Sequence, residues 1–178
     1  ISYEFNGSFA MIPTTTAISR QCLLSGKYPR ELENPFSLSK EEKQFHEAAQ
    51  NLGYLPKQVL YTRGYSIDFS YQTRFVAIII NDIDDMVHGQ KQGRLGMFND
   101  VELFAKSNKL QNLIRELFTE GFEVYITSDH GNRVCKGVGT LRNTGVEVET
   151  KSKRMVILKD FAEENELISK HTTTYEGY

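Results

Sequence analysis

Apolar side chains recur along this chain first at helical and then at strand-like spacing. Residues 16–24, 40–52 and 99–120 place apolar positions three and four residues apart, which predicts three helices. A glycine follows each of these segments closely, as expected for a left-handed helix cap. The second segment illustrates the pattern, because one helical face would carry Phe45, Ala48, Ala49 and Leu52.

Short continuous apolar runs predict strands between these helices. The run "RFVAIIIN" at residues 74–81 is typical of a central strand that is buried on both faces. Residues 58–61, 122–127 and 154–158 predict three more strands, and residues 161–170 predict a further helix. Strands that alternate with helices predict an α/β fold, with a mainly parallel sheet sandwiched by helices.

The composition is that of an ordinary globular protein. The chain has 178 residues, of which 39% are apolar and 25% charged, so one folded domain is expected and a disordered or fibrous protein is excluded. The net charge of -2 argues against a protein that coats nucleic acid, although a local basic patch could still bind phosphate. The polar segment 137–152 predicts a loop or a hairpin.

Two features of the sequence favour a reducing, aqueous compartment. The longest apolar run, Phe75–Ile80, is far shorter than the roughly 20 residues that cross a bilayer. Cys22 and Cys135 lie far apart and form no CxxC pair. We therefore expect a soluble, cytoplasmic protein without a membrane partner.

An acid and a histidine follow each of two predicted strands. Asp84 and His88 come after residues 74–81, and Asp129 and His130 come directly after residues 122–127. Ligand sites of parallel α/β sheets lie at the carboxyl ends of the strands, and carboxylate and imidazole are ligands that zinc accepts. Two such sets could hold two metals about 4 Å apart for phosphoryl transfer. Taken singly, the first pair could be a solvated turn and the second a turn with an Asx hydrogen bond.

A third element is the segment "IPTTTAISRQCLLSGKYP" at residues 12–29. It places Thr16 at the start of a predicted helix, where free backbone N–H groups favour a phosphoryl oxygen. The alternative is that Thr14 or Thr16 only caps this helix. Arg20 and Lys27 flank the same helix, and they either contact substrate phosphate or are solvated charges.

These segments together resemble the PglZ domain of the alkaline phosphatase superfamily. The resemblance rests on "PTTTAISRQCLLSGKYP", "IIINDIDDMVHG" and "ITSDHGN", in that order. It implies that Thr16 is the nucleophile of a metal-dependent hydrolase, a phosphodiesterase or phosphatase. Asp84 with His88 would bind one divalent metal and Asp129 with His130 the other, and both metals are expected to be zinc.

The resemblance also implies a biological setting. PglZ proteins belong to bacterial BREX phage-resistance systems and to some response regulators. The expected partners are a phosphate-ester substrate, such as a nucleotide or nucleic acid, and other defence or signalling proteins. The alternative from another functional class is a non-catalytic interaction domain with a degenerate metal site.

Two ligands of the superfamily pattern are missing from this sequence. No Asp precedes the nucleophile segment, and His171 lacks the sequence context of the third histidine. We therefore expect residues 1–178 to be a partial PglZ domain that lacks the first strand and a C-terminal ligand segment. Alone, such a fragment would hold few or no metal ions, be inactive, and self-associate, for example as a homodimer, through its exposed sheet edge.

Overall fold

The computed structural model describes residues 2–133 and the backbone of two later strands. In chain order the elements are α1 (Thr16–Ser25), α2 (Glu41–Asn51), β1 (Val59–Arg63), β2 (Phe75–Ile79), α3 (Asp82–Gly89), α4 (Gly93–Lys106), α5 (Lys109–Thr119), β3 (Val148–Ser152) and β4 (Met155–Leu158), with 3-10 turns at Pro29–Glu31 and Pro56–Gln58. The chain forms two compact units, of which the first comprises residues 1–41 and 128–178 and the second residues 42–127.

The first unit is built around α1. Ile18 and Cys22 lie one turn apart on this helix and pack with Leu32 and Met11 into a small apolar cluster. The helix ends at Gly26, which adopts the left-handed conformation (φ 70°) and donates its N–H to the Cys22 carbonyl. In the same unit β3 and β4 pair antiparallel. The cluster therefore supports one face of the helix that begins at Thr16.

The second unit is built around the parallel pair β1–β2. Val59 is opposite Phe75 at the start of the ladder, and Arg63 is opposite Ile79 at its end. The ring of Phe75 stacks on Phe45 of α2, with 5.2 Å between the ring centroids. The buried residues of this unit are Phe45, Ala49, Val59, Thr73, Ala77, Leu113, Leu117, Gln44 and Gly96. β2 thus packs against apolar side chains, and α3 begins just after its carboxyl end.

The α/β class expected from the sequence is confirmed, since helices accompany a small parallel sheet. The predicted helices at 16–24 and 40–52 and the strands at 58–61 and 74–81 correspond to α1, α2, β1 and β2. β4 corresponds to the predicted strand at 154–158, and β3 lies within the segment expected to be a loop or hairpin. The predicted helix at 161–170 lies outside the described residues.

Two local predictions were wrong. Residues 99–120 form two helices, because Asn108 takes a left-handed conformation (φ 56°) that ends α4 and begins α5. Residues 122–127 form no strand, and Tyr125 and Ile126 are 82% and 69% exposed. An apolar run indicates that a segment suits a sheet, but a strand also needs a partner for its backbone hydrogen bonds.

Within the described part of the chain, every helix is too short or too polar to cross a membrane.

Candidate functional site

Thr16 is the first residue of α1, and its side chain is partly buried. The N-cap of the helix is Thr15, whose carbonyl accepts hydrogen bonds from the N–H groups of Ile18 and Ser19. Thr15 makes no capping hydrogen bond with its side chain, and its buried Oγ1 has no partner among the described residues. Thr16 is therefore not the cap of α1, and its hydroxyl is turned to another group.

That group is His130, which is distant in sequence but belongs to the same unit. Oγ1 of Thr16 lies 3.2 Å from Nε2 of His130. On the other side of the ring, Nδ1 of His130 lies 3.0 Å from the carbonyl oxygen of Gly131. A carbonyl oxygen only accepts, so Nδ1 carries the hydrogen, and in the neutral ring Nε2 presents a lone pair to Thr16.

Asp129 completes this group of side chains. Its Oδ1 accepts a hydrogen bond from the backbone N–H of His130 at 3.0 Å, and its Oδ2 lies 3.7 Å from Nε2 of His130. The side chains of Asp129 and His130 are only 21% and 15% exposed. The structure thus brings together the side chains of Thr16, Asp129 and His130, and their roles as nucleophile and metal ligands stay predictions.

Asp84 and His88 form the other pair, on α3. Their spacing of one helical turn puts them on the same face, and Oδ1 of Asp84 lies 3.4 Å from Nε2 of His88. Both are accessible, at 48% and 75% exposure. The segment is helical, and the acids in its first turn complement the positive end of the helix. Because Asp84 and His88 are four residues apart, the helix places the carboxylate next to the imidazole.

Similarity of the whole chain to known families adds an independent finding. Residues 1–178 match the family described as the BREX system PglZ alkaline phosphatase-like domain. The chain therefore belongs to the PglZ family. The resemblance inferred from the three motifs is thereby confirmed, and with it the link of the family to BREX systems. No curated protein and no solved structure matches the chain.

The carboxylate oxygens and imidazole nitrogens of the two Asp–His pairs are atoms that a divalent cation binds. Nε2 of His130 is directed away from the Gly131 carbonyl that fixes the ring, an arrangement common to metal-binding histidines. These ligands are few, because residues 2–133 contain no group of three Asp, Glu, His or Cys side chains that could hold one metal ion. Each pair would thus supply two such ligands, and Thr16 adds a hydroxyl to the second. That the two pairs meet around one substrate stays a prediction.

The two basic residues that flank the nucleophile helix differ in environment. Lys27 is exposed. Arg20 is not a solvated charge, because its Nε lies 2.5 Å from Oε2 of Glu41 and the two side chains are 11% and 1% exposed. Direct contact of Arg20 or Lys27 with substrate stays a prediction.

Glu41 is a residue that the sequence did not single out. An acid at the first position of α2 looks like an ordinary charge at a helix start, and nothing in the local pattern shows that Arg20 will be its partner. The signal that could have suggested it is the position of Arg20, one turn after Thr16 on the same helix.

Proposed function

We propose that this PglZ domain is the core of a metal-dependent phosphoesterase, a phosphodiesterase or phosphatase, with Thr16 as its nucleophile. The observation that carries the proposal is the 3.2 Å contact between Oγ1 of Thr16 and Nε2 of His130. A hydroxyl at a helix start, next to an imidazole and a carboxylate, is suited to attack on phosphorus. The substrate would be a phosphate ester such as a nucleotide or nucleic acid, and the partners other proteins of a BREX system.

The residues of the chain account for the steps of an in-line displacement. The first backbone N–H groups of a helix have no partner within it, so the start of α1 favours the phosphoryl oxygens of the substrate. Oγ1 of Thr16 forms the bond to phosphorus, the bond to the ester oxygen breaks, and the hydroxyl proton passes to solvent. Water then cleaves the phosphothreonine at position 16, which restores the hydroxyl and releases the second product.

Two divalent metal ions, with zinc the best match to these ligands, would be held by Asp129 with His130 and by Asp84 with His88, and they would stabilise negative charge on the attacking and leaving oxygens. His130 contributes orientation as well, because the Gly131 carbonyl fixes its ring with Nε2 towards Thr16.

The test compares two neighbouring threonines in the full-length natural protein. Thr16→Val removes the hydroxyl and keeps the side-chain shape, so we expect hydrolysis of bis(p-nitrophenyl) phosphate in the presence of zinc to fall by about a thousandfold or more. Thr15→Val is the matched control. It removes a buried hydroxyl that has no partner among the described residues and that makes no capping hydrogen bond to α1. We therefore expect stability and activity to persist. Full activity of Thr16→Val would exclude Thr16 as nucleophile.

The second candidate is a non-catalytic interaction domain of a BREX assembly. It is favoured by the small number of ligands that residues 2–133 group together. The same experiment separates the two functions, because an interaction domain would show no zinc-dependent hydrolysis in the wild-type protein and no phosphothreonine by mass spectrometry.

A further inference from the structure

Three consecutive polar residues of α1 are turned towards the protein interior. Ser19 and Gln21 are 2% and 1% exposed, and the side chain of Arg20 is 11% exposed. Oγ of Ser19 donates to the carbonyl of Met11 at 3.3 Å, and the amide nitrogen of Gln21 donates to the carbonyl of Asn34 at 3.2 Å. Each of the three therefore ties α1 to a different segment of the first unit.

The tie made by Arg20 differs from an ordinary surface ion pair. Nζ of Lys40 and Oε2 of Glu33 in the same unit also lie 2.5 Å apart, but the two side chains are 50% and 73% exposed. Glu41 is 1% exposed, so its carboxylate has lost nearly all contact with water. A buried ion pair gains little stability over apolar residues of the same size, because desolvation offsets the attraction. What such a pair does supply is a fixed geometry, since the charge-assisted hydrogen bond is directional.

This geometry bears on the direction of the Thr16 side chain. Thr16 and Arg20 are four residues apart, so they share one face of α1. The apolar contacts of Ile18 and Cys22 hold the helix in place, but dispersion contacts are non-directional and tolerate small rotations about the helix axis. A fixed guanidinium on the face of Thr16 does not tolerate such rotations, and its charge-assisted hydrogen bond is stronger than the neutral hydrogen bonds of Ser19 and Gln21.

We propose that Arg20, held by the buried carboxylate of Glu41, is a positioning residue that sets the rotation of α1 and so aims Oγ1 of Thr16 at Nε2 of His130. The catalytic consequence rests on the proposed function, while the structural consequence does not. Arg20 acts here through Thr16 and needs no contact with substrate. A displacement of about 1 Å at the nucleophile is enough to lower a rate by roughly a hundredfold.

The kinetic test uses Glu41→Gln, which keeps the side-chain shape and removes the charge that orients Arg20. In the full-length, zinc-loaded protein we expect kcat for bis(p-nitrophenyl) phosphate to fall by about 10- to 100-fold while KM changes by less than about twofold. Glu33→Gln is the matched control, since it removes the carboxylate of the exposed pair and should leave kcat unchanged. A rise in KM at constant kcat would overturn the proposal and indicate that Arg20 contacts the substrate.

A second readout does not depend on activity. The ¹⁵N resonance of His130 Nε2 in the metal-free 178-residue chain reports the hydrogen bond from Thr16, and Thr16→Val marks its position when that bond is absent. We expect Glu41→Gln to move the resonance towards the Thr16→Val position, and Glu33→Gln to leave it in place. An unmoved resonance in a folded Glu41→Gln chain overturns the proposal whether or not the protein is a phosphoesterase.

Arg20→Lys provides a variant that keeps a positive charge beside Glu41, in case Glu41→Gln does not fold. Lysine lacks the planar fork of arginine, so the charge remains while the fixed geometry is lost. The His130 resonance of Arg20→Lys should therefore also move, by less than that of Thr16→Val. If it stays at the wild-type position, the orientation of Thr16 does not depend on Arg20 and the proposal is wrong.

Discussion

The hydroxyl of Tyr65 offers a test of the second unit through its pH dependence. Burial raises the pKa of Tyr65 to about 12 from an ordinary value of 10.0, and the neighbouring Asp82 carboxylate adds to this effect. The hydroxyl oxygen is buried, and its contact with Asp82 falls outside good hydrogen-bond geometry. Asp82 is the first residue of α3, so Tyr65 lies at the base of the helix that carries Asp84 and His88.

The sign and size of the effect follow from linkage. Because the pKa of Tyr65 is higher in the folded state, its contribution is fully present below about pH 10 and is lost as the pH rises towards 12. A difference of two pKa units corresponds to about 2.7 kcal/mol, of which about half is lost by pH 11. The ring is only partly buried, and solvent screening reduces the loss of stability expected by pH 11 to about 0.5–1 kcal/mol.

The assay is urea unfolding of the wild-type chain and of Tyr65→Phe from about pH 9 to about pH 11. We expect the free energy of unfolding of the wild type to fall by about 0.5–1 kcal/mol more than that of Tyr65→Phe over this range. Tyr3→Phe is the control, since the ring of Tyr3 is 86% exposed and the substitution should leave the pH dependence close to that of the wild type. Parallel curves for the wild type and Tyr65→Phe would show that the Tyr65 hydroxyl is not desolvated.

The first turn of α1 shows how far sequence patterns can predict this molecule. The helix and its glycine end were predictable, because apolar spacing and a left-handed cap are local properties. Asp129 and His130 could be recognised together because they are adjacent in the sequence. Their contact with Thr16 spans 114 residues, and only the ordered resemblance to a family connected them before the structure did.

The failures concern interactions with partners far along the chain. The segment 122–127 has the composition of a strand but forms no ladder, and no local feature reveals whether a partner is present. Likewise, nothing in the residues around Arg20 shows that its charge is buried against Glu41. The α4–α5 break fell on Asn108, a residue type that tolerates the left-handed conformation but does not require it.

Two further predictions concern the first unit. Burial raises the pKa of the Cys22 thiol, and Cys22 is only 4% exposed, so iodoacetamide should label it slowly in the native chain and rapidly in denaturant. Peptide mass spectrometry reads Cys22 separately from Cys135, and rapid native labelling would show that α1 does not pack against Leu32. Zinc should bind the 178-residue chain weakly, because stable zinc sites have three or four protein ligands. The described residues bring only Asp129 and His130 together at the start of α1, and Thr16 adds a neutral hydroxyl. Calorimetric titration should give a dissociation constant above about 1 μM. Asp129→Asn should weaken zinc binding by a further factor of roughly 10 to 100, since a residue that binds the metal directly matters at least as much as the hydrogen bonds that orient such residues. Submicromolar binding at two sites, insensitive to Asp129→Asn, would mean that other side chains of this chain hold the metal and that Asp129 does not.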